Sequence, residues 1–200
     1  MTKAPAVERV VRGWASPLVS FFDATGISPT ALTVLGLFLN FGAAAVVWTG
    51  SLRWGAVAFL GASVFDMLDG SLARRRGQES RLGAFLDSTF DRLSESALFV
   101  ALLHDILIHG YGPTWLPEAT LLALAGSLAT SYVRARAEGV GQACKVGWLE
   151  RPERVVLLVA GLLVGRPFLG YVIFSLAVLT WWTTFQRIAH VWRALDPPRK

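Results

Sequence analysis

Apolar residues in this chain fall into long runs separated by short polar segments, and six such runs follow one another. Ile27-Ser28-Pro29-Thr30 opens the first, with Ser28 placed to cap a helix and Pro29 at its first position. This run reaches about Trp48, and its small residues Gly36, Gly42 and Ala43 to Ala45 favour close helix packing. The second begins near Leu52 and passes through Phe65 into an acidic stretch. The third runs from about Gly83 to Ile108, and the fourth from Ala119 to Tyr132 with a polar extension to Glu138. The fifth covers Pro152 to Val164, and the sixth Phe168 to about Phe185 after a turn at Arg166-Pro167. Upstream, residues 4–23 mix Val7, Val10, Trp14, Leu18, Phe21 and Phe22 with Arg9 and Arg12. That segment is too short and too charged to cross a bilayer, and it fits a helix lying in the interface. The pattern predicts an all-α membrane protein forming one domain over residues 1–200, with six transmembrane helices (30–195) behind an N-terminal interfacial amphipathic helix (4–23).

The acidic stretch breaks the apolar pattern. Asp66 and Asp69 project from one helical face beside Gly70 and Ala73, and Asp87 and Asp91 form a second stripe one turn apart above Gly83. Neighbours at such spacing have Cβ atoms about 5–6 Å apart. Two carboxylates can then converge on one divalent ion, or four can bracket a pair of ions about 3.5–4 Å apart. An Asp at the centre of a membrane helix costs about 2.5–3.5 kcal/mol. Four would total roughly 10–14 kcal/mol, comparable to the whole stability of about 5–15 kcal/mol of a typical domain. A polar cavity that binds cations resolves the conflict. The segment 74–81, rich in arginine, reads as a polar reversal that makes its flanking helices antiparallel neighbours.

Composition agrees with a membrane setting: 54% hydrophobic residues, eight Trp, 16% charged residues and a mean hydropathy of +0.49 in 200 residues. The net charge of +5 sits in short loops between apolar runs, which favours anionic lipid or phosphate over nucleic acid as partner. A single cysteine, Cys144, excludes an internal disulfide and a thiolate metal cluster. The first twelve residues lack the apolar core of a signal peptide. Lys and Arg concentrate at both ends and in the 74–81 and 134–154 regions, whereas the loops near 50, 110 and 166 hold few. The expected topology is a multi-pass protein of the cell (inner) membrane, with both termini and the acidic stretch on the cytoplasmic side. His104 and Asp105, three to four turns from Asp91, read as interfacial rather than catalytic. Arg134 and Arg136 before Glu138, and Arg151 and Arg154 among Glu150 and Glu153, form a second basic cluster that Arg187 can join. Guanidinium groups suit bidentate phosphate binding. Charge pairing with those glutamates and a purely topological role account for the same residues.

The spacing D-x2-D-G-x2-A-R-x8-G-x3-D-x3-D is filled by Asp66, Asp69, Gly70, Ala73, Arg74, Gly83, Asp87 and Asp91. It resembles the signature of the CDP-alcohol phosphotransferases, integral membrane enzymes of phospholipid synthesis. That resemblance implies two Mg²⁺ (or Mn²⁺) ions held by Asp66, Asp69, Asp87 and Asp91, with Asp91 also the catalytic base on the acceptor hydroxyl. It implies a CDP-lipid lying against Thr33, Asp69, Gly70, Ala73, Arg74 and Gly83, and a homodimer. Thr30 departs from the Asn or Asp that family members often carry there. The stretches Ser131 to Glu138 and Glu150 to Arg154 resemble the inositol-phosphate branch, the phosphatidylinositol-phosphate and archaetidylinositol-phosphate synthases. By that likeness Arg134, Arg151, Arg154 and Arg187 hold the acceptor's phosphate. The reaction implied is CDP-diacylglycerol plus inositol 1-phosphate giving phosphatidylinositol phosphate and CMP. Glycerol 3-phosphate or another alcohol as acceptor, and a non-enzymatic divalent-cation-binding membrane protein, are the alternatives.

Overall fold

The computed structural model describes residues 17–196, and every regular element among them is helical. Helix α1 covers residues 17–25. It is followed by α2 (Pro29–Trp48), α3 (Leu52–Arg76), α4 (Arg81–His109), α5 (Leu116–Gly139), α6 (Arg151–Val164) and α7 (Arg166–Leu195). Residues 4–16 of the expected interfacial helix lie outside the described residues.

Local chemistry sets the helix ends. The Ser28 hydroxyl accepts from the Ala31 N–H at 3.2 Å, and Pro29 follows at the first helical position. Helix α3 stops at Gly77, whose φ of 63° lies in the left-handed region. There Gln78 N–H donates to the Ala73 carbonyl at 2.9 Å and Gly77 N–H to that of Arg74 at 3.3 Å, which together make a Schellman closure. Arg74 to Arg76 therefore belong to the last turn of α3, where cations oppose the negative end of the helix dipole, and the reversal shrinks to residues 77–80. Ser80 then caps α4, accepting from the Gly83 N–H at 3.0 Å. Pro167 likewise sits in the first turn of α7 rather than in a turn between helices, because Gly165 alone makes the break.

The six long helices close into a ring. α2 packs on α3, α3 on α6, α6 on α7, α7 on α5, α5 on α4, and α4 back on α2. Helices α3 and α4 are not extensively packed against each other, contrary to the expectation of antiparallel neighbours; both rest on α2. The facing positions explain this. They are carboxylates, which repel, and Gly70, Ala73 and Gly83, which offer no apolar bulk to interdigitate.

The main core lies in the half of the bundle away from this gap. It joins Ala43 and Val47 of α2, Ala56 and Phe59 of α3, Leu98 and Leu102 of α4, Ala123 of α5, Leu158 of α6 and Ile173 of α7. A small second cluster, Val19, Leu32, Leu68 and Leu72, seats α1 against α2 and α3. Helices α2, α3 and α7 are long and apolar enough to cross a membrane. Helix α4 interrupts its apolar run with Asp87, Asp91, Arg92, Glu95 and Asp105. Helix α6 has 14 residues, a length of about 21 Å against a hydrocarbon core of about 30 Å. Trp54, Phe38, Tyr171 and Phe185 stand on the outer surface, an apolar exterior suited to lipid.

At the far end, Asp105 is fully buried and pairs with Arg166 at 2.9 Å and His109 at 2.9 Å, while the His104 ring stacks on Trp48. Fourteen residues along α4, about 21 Å, separate Asp105 from Asp91. Asp105 is thus a tie between helix ends and not part of the acidic site.

Arg76 anchors α1. It donates to the carbonyls of Phe22 (3.3 Å), Asp23 (2.8 Å) and Ile27 (2.6 Å), and its Nε meets the Asp23 carboxylate at 2.7 Å. This hydrogen bond holds the Asp23 carboxyl below the usual carboxylate range. One guanidinium thereby gathers carbonyls from the end of α1 and from the turn that follows it. Arg76→Ala is expected to raise amide hydrogen exchange across residues 17–25 and leave α4 to α7 unchanged; equal protection in both proteins would show that the second core cluster and the contacts of Arg75 with Ser20 and Asp23 suffice to hold α1.

Candidate active site in the α3–α4 gap

All four motif carboxylates face the gap. Asp66 and Asp69 come from α3 and Asp87 and Asp91 from α4, near enough for their charges to interact. Side chains from α2 orient the first pair. The Thr33 hydroxyl donates to Asp69 Oδ2 at 2.5 Å, and Asn40 Nδ2 donates to Asp66 Oδ2 at 3.0 Å and to the Gly36 carbonyl at 2.9 Å. The Gly70 N–H donates to the other oxygen of Asp69. A methyl group on Gly36 would collide with Asp66 Oδ1, so glycine there lets α2 approach the carboxylate. Asn40 and Gly36 were invisible to the motif reading because they lie 26 and 30 residues before Asp66 in sequence.

Two cavities meet at Asp87. The first, about 340 Å³, is lined by Thr30, Thr33, Asp69, Gly70, Ala73, Arg74, Ser80, Gly83 and Asp87. It gathers all six residues that the resemblance assigns to a CDP-lipid. A methyl on Gly70 would meet only Arg74, at an ordinary 3.5 Å, so packing within the protein does not demand glycine at this wall. The second cavity, about 350 Å³, holds Asp87, Asp91, Arg92, Glu95, Arg134, Arg151, Arg154 and Arg187. All four arginines assigned to an acceptor phosphate line it.

Those arginines differ in freedom. Arg154 is 3% exposed and forms a two-pronged pair with Glu95, at 2.8 and 2.9 Å, while the Ser127 hydroxyl donates to the same carboxylate at 2.6 Å. Arg187 is also buried, donating to the carbonyls of Thr130 and Val146 at 2.8 Å each. It pins the 140–150 loop, in which Gly147, at φ 120°, passes too close to Thr183 for any side chain. Arg134 is half-exposed and pairs with Glu138 at 3.1 Å. Arg151 touches the motif itself, reaching Asp91 at 2.8 Å and Asp66 at 3.5 Å. Glu95 was passed over in sequence, although an acid one turn beyond Asp91 inside an apolar helix is itself a signal of function. Arg92, from the same helix, donates to the Ser88 carbonyl and adds a further guanidinium to the cavity wall.

A family model described as CDP-alcohol phosphatidyltransferase matches residues 26–187, from the turn before α2 to Arg187 on the wall of the second cavity. The chain belongs to this family. Among curated relatives, archaetidylinositol phosphate synthase of Methanothermobacter thermautotrophicus is 38% identical, over 93% of this chain and 92% of its own. Phosphatidylinositol phosphate synthase of Mycobacteroides abscessus is 40% identical, over 76% of this chain and 70% of its own. Among solved structures, phosphatidylinositol phosphate synthase of Mycobacterium tuberculosis with CDP-DAG bound superposes with a TM-score of 0.86 at 35% identity, covering 93% of this chain and 98% of that one. The same enzyme in complex with manganese and citrate gives a TM-score of 0.85 at 36% identity, over 92% of both chains.

The phosphatidyltransferase site offers oxygen-only donors, the set that hard divalent cations take. As placed, the carboxylates do not close a cage: among the described residues no three of His, Cys, Asp and Glu are gathered tightly enough to hold an ion. The Arg151 guanidinium supplies the positive charge between Asp66 and Asp91. The carboxylate charge facing one gap from both helices and the α2 donors behind Asp66 and Asp69 fit a divalent cation once the carboxylates close on it.

Outer-shell partners of metal ligands typically contribute 10–100-fold to affinity or activity. Asn40→Leu is expected to lower phosphatidyl transfer by about that factor, measured as CMP release; wild-type turnover would remove Asn40 from the site. Breaking a buried ion pair on one side costs about 3–5 kcal/mol, whereas replacing both partners is often neutral. Arg154→Met should therefore lower Tm in detergent markedly, and Glu95→Leu/Arg154→Met should recover much of the loss. A double variant no more stable than the single would show that the pair does more than compensate its own charges.

Proposed function

We propose that this chain is a six-span phosphatidylinositol-phosphate synthase that transfers the phosphatidyl group of CDP-diacylglycerol to inositol 1-phosphate and releases CMP. The observation that carries this reading is the pair of cavities meeting at Asp87, one walled by small residues and one by arginines. The relatives named above as inositol-phosphate synthases support the choice of acceptor. Manganese in the M. tuberculosis enzyme supports a divalent cation, and this reading assigns two ions, Mg²⁺ or Mn²⁺, to Asp66, Asp69, Asp87 and Asp91.

In this reading the first cavity takes the cytidine diphosphate. Gly70, Ala73 and Gly83 allow its backbone approach, Arg74 meets phosphate, and Thr33 keeps Asp69 aimed at the gap. Bound cations supply charge neutralisation of the diphosphate and of the departing CMP in an in-line displacement. In the second cavity Arg134 and Arg151 meet the acceptor's phosphate, and Arg154 and Arg187, held by Glu95 and by backbone carbonyls, complete the positive wall that orients it. Asp91, on the wall of that cavity, takes the proton of the acceptor hydroxyl as it attacks. The bond formed is acceptor oxygen to the lipid phosphorus, and the bond broken joins that phosphorus to the CMP oxygen.

The basic clusters at 74–81 and 134–154 support a cytoplasmic position for this end of the bundle under the positive-inside rule. Helices α4, α5 and α6 then complete six spans, with the acids of α4 turned inward, and α1 lies at the interface as the end of an amphipathic segment. A homodimer belongs to the same reading, on the family resemblance alone.

The purified protein with CDP-diacylglycerol and Mg²⁺ is expected to release CMP when given inositol 1-phosphate, and far less with glycerol 3-phosphate or free inositol. Asp91→Asn is expected to reduce that rate by about 10²–10⁴-fold, the range of general-base catalysis. Release with glycerol 3-phosphate alone would overturn the acceptor, release with none the transferase, and an unimpaired Asp91→Asn variant the base.

A further inference from the structure

Arg151 belongs to both halves of the site. Its Nη2 lies 2.8 Å from Asp91 Oδ1 and 3.5 Å from Asp66 Oδ2, so it occupies oxygens on opposite sides of the α3–α4 gap. The same side chain lines the arginine-walled cavity. It is about one-third exposed, whereas Arg154 and Arg187 are buried and committed to Glu95 and to backbone carbonyls. Its Nε is buried without a hydrogen-bond partner, so its present pose leaves a donor unsatisfied. Arg151 is also the first residue of α6, after a loop, while Arg154 one turn later fixes the helix to α4. The helix is held and the Arg151 side chain is the part that can turn.

We infer that Arg151 is an exchangeable cation that couples the metal site to the acceptor site: its guanidinium and a divalent ion compete for the oxygens of Asp66 and Asp91, and an anionic acceptor draws it away. A carboxylate oxygen paired with a guanidinium is a poorer metal ligand, because the same lone pairs serve both partners. A phosphate in the adjoining cavity offers Arg151 a doubly charged, bidentate alternative, and its unused Nε a partner. Metal and acceptor thus favour each other's binding, and by linkage the two effects are equal. A neutral alcohol has no such pull. The inference rests on the phosphatidyltransferase reading for the acceptor, but the competition between Arg151 and metal does not depend on which alcohol is used.

The test is the affinity of the purified full-length protein for Mn²⁺, read from the free-ion EPR signal in detergent. Arg151→Gln is expected to bind Mn²⁺ more tightly than wild type, by about 5- to 150-fold, the usual span of coupling between sites. Damage to the fold would weaken binding, so tightening is the outcome a merely structural role does not produce. Arg151→Lys, which keeps a positive charge, is expected to stay nearer to wild type. Inositol 1-phosphate should tighten Mn²⁺ binding to wild type, free inositol should not, and neither should change Arg151→Gln. Unchanged or weaker Mn²⁺ binding in Arg151→Gln overturns the inference, as does an equal response of both proteins to inositol 1-phosphate. These outcomes are separate from failure of the functional reading, which shows as absence of CMP release from wild type.

Discussion

Four carboxylates at one end of an apolar helical bundle repel each other, and partial burial strips them of some of the hydration they would keep on a soluble surface. This constraint shapes what surrounds them. Helices α3 and α4 stay apart where their acids face and close only through α2, while the densest apolar packing lies in the opposite half. Compensation comes from α2, where Thr33 and Asn40 donate to Asp69 and Asp66, and from α6, where Arg151 brings a guanidinium to Asp66 and Asp91. The gap that repulsion keeps open is also the place where a charged substrate can enter.

A second buried pair serves the geometry rather than the chemistry. Glu95 lies one turn beyond Asp91 on α4, and Arg154 one turn beyond Arg151 on α6. Their bidentate bond, backed by Ser127, fixes the register of α6 against α4 and hence where Arg151 emerges. A buried ion pair contributes little net stability, and its value here lies in selecting one alignment among several that apolar side chains would accept. Arg187 does the same for the 140–150 loop, from which α6 begins.

Much of this was legible in order along the chain. Caps at Ser28 and Pro29, and the eight motif positions from Asp66 to Asp91, could be read because each depends on neighbours within a few residues. Arg74 to Arg76 were misplaced into the reversal because three consecutive arginines look like a loop, while the Gly77 closure that keeps them helical involves backbone bonds no periodicity reveals. The ring order was out of reach, as were Gly36 and Asn40 behind Asp66 and the three carbonyls gathered by Arg76, since each joins elements many residues apart. Asp105 was placed near a helix end correctly, but its burial under Arg166 requires knowing that the end of α4 lies beside the start of α7.

The central claim is that the oxygens of Asp66, Asp69, Asp87 and Asp91 share divalent cations in the gap between α3 and α4. Anomalous diffraction from crystals grown with Mn²⁺ tests it most directly. The account predicts anomalous density within coordination distance of carboxylates from both helices, with the Arg151 guanidinium moved off Asp66 and Asp91. Manganese bound elsewhere, or the ion pairs of Arg151 intact at saturating Mn²⁺, would contradict it.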